Sequence, residues 1–132
     1  MKEKTGIILL QGSQALMAMD VSGRATFLSD HIEVGETAVE AAIRVVERDA
    51  NVKISHHTSS LVELPSQDND PELLWHWFSI DIPLEEEINL APRGNLVELF
   101  WITLEQVEFY VAYEDWKHHW TNCLLPALLA IT

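Results

Sequence analysis

Residues 29–52 read SDHIEVGETAVEAAIRVVERDANV, and the pattern of this stretch decides how the chain is organised. Thr37 precedes Glu40 by three residues, the spacing of a capping box, in which a hydroxyl and a carboxylate each satisfy an orphan backbone N–H. This predicts a helix over residues 38–50 with Thr37 as its N-cap. Val39, Ile43, Val46 and Ala50 recur at helical spacing and make one apolar stripe, expected to be buried. Asn51 follows where a left-handed C-terminal cap residue sits. The polar run 29–35 reads as the loop that feeds the helix.

On either side of this helix the pattern changes to strands. Gly6–Leu10 and Gln14–Met19 are short apolar runs separated by Gln11, Gly12 and Ser13, which predicts a hairpin. Ala25–Leu28, Val52–Ile54 and Ser60–Leu64 read as further strand pieces, and 65–71 as a polar loop. Leu73–Ile82 is the most strand-like segment, with Trp75 and Trp77 on one face and His76 and Phe78 on the other. Leu96–Ile102 follows an acidic loop. From about Glu114 a last helix carries Trp116, Trp120, Leu124 and Leu128 on one stripe, with Pro126 a kink or early break. The expected architecture is α+β: a mixed sheet between helices, forming a single domain over 1–132.

Twenty-one Asp and Glu face eight Lys and Arg, a formal charge of −13. That balance argues against nucleic acid or anionic lipid as a partner, because both are bound by displacing counterions with basic side chains. No run reaches the roughly 18 apolar residues of a membrane span. The single cysteine, Cys123, rules out an intrachain disulfide and agrees with a cytoplasmic setting.

The stretch that opens this section resembles the Nudix box, G-x5-E-x7-R-E-U-x-E-E-x-G-U, with U aliphatic. Aligned without a gap, Glu36, Arg44, Val46 and Val52 match, and Gly35-Glu36-Thr37 and Glu40-Ala41-Ala42 reproduce common filler residues. Glu98-Leu-Phe-Trp-Ile-Thr-Leu104 is similar to a strand that closes many such domains. The resemblance implies an α/β/α sandwich and a hydrolase of nucleoside diphosphate-linked compounds using Mg2+ or Mn2+. It also implies that Gly35, Glu36 and Arg44 are structural, with Glu36 and Arg44 bracing each other beneath the loop.

The mismatches fall mostly on the chemistry. Asp30 stands in place of the leading Gly, Val45 in place of the Glu after Arg, Arg48 and Asp49 in place of the Glu pair, and Asn51 in place of the second Gly. Three family acids become Val, Arg and Asp, whose charges sum to zero, a poor set for a hard cation that needs carboxylate oxygens. At about 100° per residue, positions 45, 48 and 49 share one arc of the helix, expected to face the cleft, whereas Glu40 and Glu47 point away from Asp49. Glu40 and Arg44 are spaced as an i,i+4 pair on a solvated face. Asp49 is therefore the inherited candidate for metal binding and catalysis, with Glu98, or one of Glu85, Glu86 and Glu87, as distal ligands.

Other features have plainer readings. His56-His57 and His118-His119 are adjacent pairs whose rings diverge, so neither chelates alone. Trp75 and Trp77 are candidates for stacking a nucleobase, with core packing the competing role. Cys123 reads as a small buried hydrophobe. Trp116 and Trp120, one turn apart, suit either a helix docked on the sheet or a homodimer seam. Three functions compete: hydrolysis through Asp49 and acids outside the box, with Mg2+ or Mn2+; binding of a nucleotide-like small ligand without turnover and without a cofactor, with Arg48 as a phosphate contact; and a regulatory dimer with an empty cleft. The charge sum favours hydrolysis that is weak or lost.

Overall fold

A computed structural model describes residues 2–54, 59–65, 73–86, 88, 90–110 and 119–131. Strand β1 (Lys2–Gln11) turns through Gly12 into β2 (Gln14–Asp20), forming the expected hairpin. Gly12 has a φ of 64°, the positive value that a two-residue hairpin turn asks of its first position. β3 (Ala25–Thr26) and β4 (Leu28–His31) follow, then helix α1 (Ala38–Ala50), β5 (Leu61–Leu64), β6 (Leu73–Ile82) and β7 (Leu96–Thr103). A 3-10 turn spans Leu104–Phe109. The chain ends in a wide π-type turn (Trp120–Leu124) that runs into helix α2 (Leu125–Ile131).

The sheet is mixed. β1 pairs in parallel with β6 along its whole length, from Lys2 opposite Leu73 to Gln11 opposite Ile82. Its other edge is shared: Lys4–Ile7 pair antiparallel with β4, and the hairpin end pairs with β2. β7 adds to β2 from Gln14 opposite Thr103 to Asp20 opposite Leu96, with a bulge at Met19 and Asp20. β5 closes the far side against β6.

Alternation along the strands builds two cores, one on each face of the sheet. Ile7, Leu9, Phe78 and Ile80 pack with Ala42, Val45, Val46 and Ala50 of α1. Ile8, Leu10, Met17 and Trp77 pack with Phe27 and with Trp120, Leu124 and Leu128 of the C-terminal segment. This is the α/β/α sandwich. Gly6 makes room for the second core, since a Cβ there would lie 2.3 Å from the Trp77 ring. Phe27 meets Trp77 edge-on at 6.3 Å and Trp120 at 5.3 Å.

Four local expectations change. Residues 28–31 are a strand where a loop is predicted from 29, because the edge of β1 at residues 4–7 supplies backbone partners that a polar sequence accepts as readily as an apolar one. Val52 and Ile54 are buried but join no ladder. The apolar stripe of α1 is rotated: Val39 is 36% exposed and Ile43 half-buried, while Ala41, Ala42, Val45, Val46 and Ala50 form the buried face. Small alanines let the helix sit close to the sheet, and a stripe drawn through the larger residues misses that. Finally, the chain does not break at Pro126. The proline has no N–H to give the Asn122 carbonyl, and the π-type turn before it absorbs the missing bond. Glu114 and Trp116 lie outside the described residues.

Candidate functional site

Each end of α1 is fixed by its own sequence. At the start, the Glu40 N–H donates to Thr37 Oγ1 at 3.1 Å and the Thr37 N–H donates to Glu40 Oε1 at 3.0 Å, the reciprocal capping box. Glu40 is thus committed to the cap and does not make the i,i+4 pair with Arg44 that its spacing suggests. At the far end, Asn51 takes a left-handed conformation, φ 59° and ψ 33°. The carbonyls of Asp49 and Ala50 accept N–H groups from Arg93 and Ala91, so the loop after β6 closes the helix end.

Arg44 braces the loop before the helix. Its Nε and Nη2 donate to Glu36 Oε2 and Oε1 at 2.8 and 3.0 Å, Nη2 also donates to the His31 carbonyl at 3.0 Å, and Nη1 reaches Asp30 Oδ2 at 3.2 Å. Glu36 Oε1 additionally accepts the Glu33 N–H at 3.1 Å. These bonds from Arg44 and Glu33 lower the Glu36 carboxyl below its ordinary range. Gly35 supports the turn with a φ of 83°.

Arg48 makes a second, interlocked set of bonds. Nε and Nη2 donate to the two carboxylate oxygens of Asp49 at 2.7 and 2.9 Å, and Nη1 donates to Asp30 Oδ2 at 2.6 Å. Asp30 Oδ1 accepts the His31 N–H at 2.7 Å. Partial burial works against the Asp30 charge, but the bonds from Arg48, His31 and Arg44 outweigh it and hold the carboxyl down at about 2. The same carboxylates raise both arginines above their ordinary value. Two cations, Arg44 and Arg48, meet four anions, Asp30, Glu36, Asp49 and, 3.9 Å from Arg44, Glu33, a local sum of −2.

The donor set that a divalent cation requires does not converge here. Val45 is fully buried in the core, so the arc it shares with Arg48 and Asp49 runs from the core to the surface and is not open to a cleft along its length. Both oxygens of Asp49 are already bonded to Arg48. Glu98 alternates with Phe100 and Ile102, which pack into the core on the sheet face opposite α1, and its own side chain is exposed. Among the described residues, no three His, Cys, Asp or Glu side chains cluster as a metal site. Glu85 is exposed, the Glu86 carbonyl accepts from Gln11 Nε2 at 2.9 Å, and Glu87 lies outside the described residues. Among the described residues, the side chains around Asp49 do not fit the cation that the fold family uses.

The aromatic candidates lie on the other face. Trp77 is 1% exposed within the second core and Trp75 stacks on it at 5.1 Å, which is the packing role; Trp77 leaves no ring face for a base. Lys4 Nζ sits 4.6 Å from the Trp75 ring centre. A shallow depression of about 370 Å3 opens beside Lys2, Glu3, His31 and the 32–36 loop, and neither Arg48 nor Asp49 lines it. His56, His57 and His118 are outside the described residues, and His119 is half-buried. The residue that sequence reasoning missed is Asp30. Its signal was available: an acid replaces a glycine in the same box in which an arginine replaces an acid.

Comparison with solved structures places this geometry. The fold matches a Caenorhabditis elegans Ap4A hydrolase with a TM-score of 0.71 and 15% identity, covering 99% of this chain and 97% of that one. It matches a Mycobacterium smegmatis Nudix hydrolase with a TM-score of 0.73 and 16% identity, covering 98% and 87%. A third match is a bifunctional NMN adenylyltransferase/ADP-ribose pyrophosphatase from Francisella tularensis, complexed with AMP and a Mn ion. There the TM-score is 0.75 and the identity 10%, over 89% of this chain and 39% of that longer one. No curated protein sequence matches significantly. No helix among the described residues is long and apolar enough to cross a membrane. A family model, the NUDIX domain, matches residues 1–122, and with its loop-helix-loop and its sandwich architecture the chain belongs to the Nudix family.

Proposed function

We propose that this Nudix protein takes nucleoside diphosphate-linked compounds and that its metal-dependent hydrolysis of them is weak or absent. The observation that carries the reading is the two-point bond from Arg48 to Asp49, the one acid retained at the family's metal positions. In the family, Mg2+ or Mn2+ activates water and offsets the charge of a diphosphate. Here a guanidinium already satisfies both oxygens that would reach such an ion. The substrate class comes from similarity: the solved relatives include an Ap4A hydrolase and an ADP-ribose pyrophosphatase.

Binding of a nucleotide-like ligand without turnover is the second reading, and one observation favours it. Arg48 has five N–H donors, of which Asp49 and Asp30 use three, and its side chain is 48% exposed. The remaining edge suits a phosphate oxygen. The local sum of −2 works against it, so such a contact is weak unless other donors assist. We place the protein in the cytoplasm with a small-molecule partner and no nucleic acid or membrane, on the strength of its −13 charge and lone cysteine. A homodimer through the last helix has less support, since Trp120, Leu124 and Leu128 are buried within the chain.

A turnover assay tests the reading. Nucleoside diphosphate derivatives with Mg2+ or Mn2+ should be hydrolysed at least about a hundredfold more slowly than by a Nudix hydrolase with an intact box, run in parallel, because charge neutralisation by the metal is missing. Robust metal-dependent turnover on any compound would overturn it.

A further inference from the structure

Two of the residues that depart from the box pattern bond to each other. Asp30 replaces a glycine and Arg48 replaces a glutamate, yet Arg48 Nη1 lies 2.6 Å from Asp30 Oδ2. The two changes are 18 residues apart in the chain and reach each other from different elements, β4 and α1. The Arg48 guanidinium lies between two carboxylates: Asp49 takes its Nε and Nη2 side, and Asp30 takes Nη1. All four oxygens of the two acids are engaged, because the His31 N–H holds the last, Asp30 Oδ1.

We propose that Arg48 is a built-in cation that shuts divalent metal out of the box, and that Asp30 is the positioning residue that holds it there. The inference rests on the proposed weakness of metal-dependent hydrolysis and supplies its cause. A guanidinium does for Asp49 part of what a metal would do, since it offsets the charge and bonds one lone pair on each oxygen, but it has no open coordination position for water. A divalent ion approaching Asp49 must displace a two-point charge-assisted bond and then stand beside a fixed positive charge. Asp30 makes displacement harder by bonding Arg48 from the opposite side. Its own charge is secured by Arg44, which ties Arg48 to the structural Arg44–Glu36 brace.

The test is a Mn2+ titration of the full chain, read from the electron paramagnetic resonance of free Mn2+. The natural protein should bind Mn2+ no better than a surface carboxylate does. Arg48→Gln should raise the Mn2+ affinity by about tenfold or more, because a positive charge a few ångströms from a divalent ion is removed while Asp30 and Asp49 remain. In Asp30→Asn, hydrogen exchange at Arg48 Nε–H should accelerate severalfold, a readout that general destabilisation would spread over other sites as well. Arg48 is half-exposed, so these variants leave the core intact, and thermal unfolding confirms it. Tight Mn2+ binding by the natural protein would overturn the proposed function itself. Absence of binding in both the natural protein and Arg48→Gln would leave that function standing and overturn the built-in cation. An unchanged Arg48 Nε–H in Asp30→Asn would overturn the role of Asp30.

Discussion

The two ends of α1 have the same secondary structure and opposite histories of pattern. At the N-terminal end, Glu36, Thr37, Glu40 and Arg44 match the expected letters, and each bonds as those letters require. At the C-terminal end, Val45, Arg48 and Asp49 depart from the pattern, yet that end is equally closed by an arginine–carboxylate pair and a left-handed cap at Asn51. The contrast separates two demands that a single motif ordinarily fulfils together. A helix needs capped ends, a buried face and paired charges, and many residue sets supply those. A divalent cation needs several carboxylate oxygens left unpaired by the protein, which is a demand for incompleteness. The Arg48–Asp49 pair at the C-terminal end satisfies the first demand and, on the proposed reading, removes the second.

The strongest break of this comparison is Val45→Glu. Restoring the family acid at this one position puts a charge into the core beside Val46 and Ala42, so it should destabilise by about 3 to 5 kcal/mol. Urea unfolding measures it, and a loss below about 1 kcal/mol would mean that Val45 swings to the surface and that the C-terminal end is closer to a working site than its packing indicates. For the same reason, pairing Val45→Glu with Arg48→Glu is a poor way to rebuild a cation site.

Thr37→Ala probes the N-terminal end. It removes the cap hydroxyl and leaves the Glu40 N–H without its partner, at a cost of about 1 kcal/mol in the same unfolding measurement. A cost near zero would show that the Glu36–Arg44 brace holds that end without the cap.

Acid titration gives the smallest effect and the sharpest contrast. The Asp30 carboxyl is depressed to about 2 from the ordinary 3.8, so the stability it contributes is present above about 4 and is lost as the pH falls toward 2. Asp30→Asn should therefore be less stable than the parent near neutral pH, by under about 1 kcal/mol because its ion pairs are partly screened by solvent, and the two should converge near pH 2. A difference that stays constant with pH would mean that Asp30 acts through shape and not through charge.

The legible and illegible parts of the sequence divide along the same physical line. Helix α1, its caps, the hairpin, β6 and β7 follow from local spacing and hydrogen-bonding chemistry, and the gap-free box pattern carries the family with them. Local rules failed where a partner far along the chain decides the outcome. Residues 28–31 are a strand because β1 offers an edge, and Val39 is exposed because the alanines of α1 face the sheet. Glu40 and Arg44 have the spacing of a pair, but each has a better partner in the loop. Asp30 was marked by its place in the box but not read as a site residue, because its value depends on Arg48, and spacing alone does not bring a residue of β4 beside the last turn of α1.

The parallel pairing of β1 with β6 also governs how the chain reaches this structure. Lys2 and Leu73 are neighbours in the sheet although 71 positions separate them, and ten such pairs must form in register. Nothing in the hairpin or in α1 can complete either core before residue 82 is available, because β6 contributes Trp77 to one and Phe78 and Ile80 to the other. Loops of that size close slowly, and pairings this distant put the chain toward the slow end for its length. During synthesis at about 5 to 20 residues per second, the apolar face of β1 waits several seconds for its partner strand. The first ten residues are thus the segment most exposed to wrong pairing while the chain is being made, and the last helix seals an arrangement that β6 has already determined.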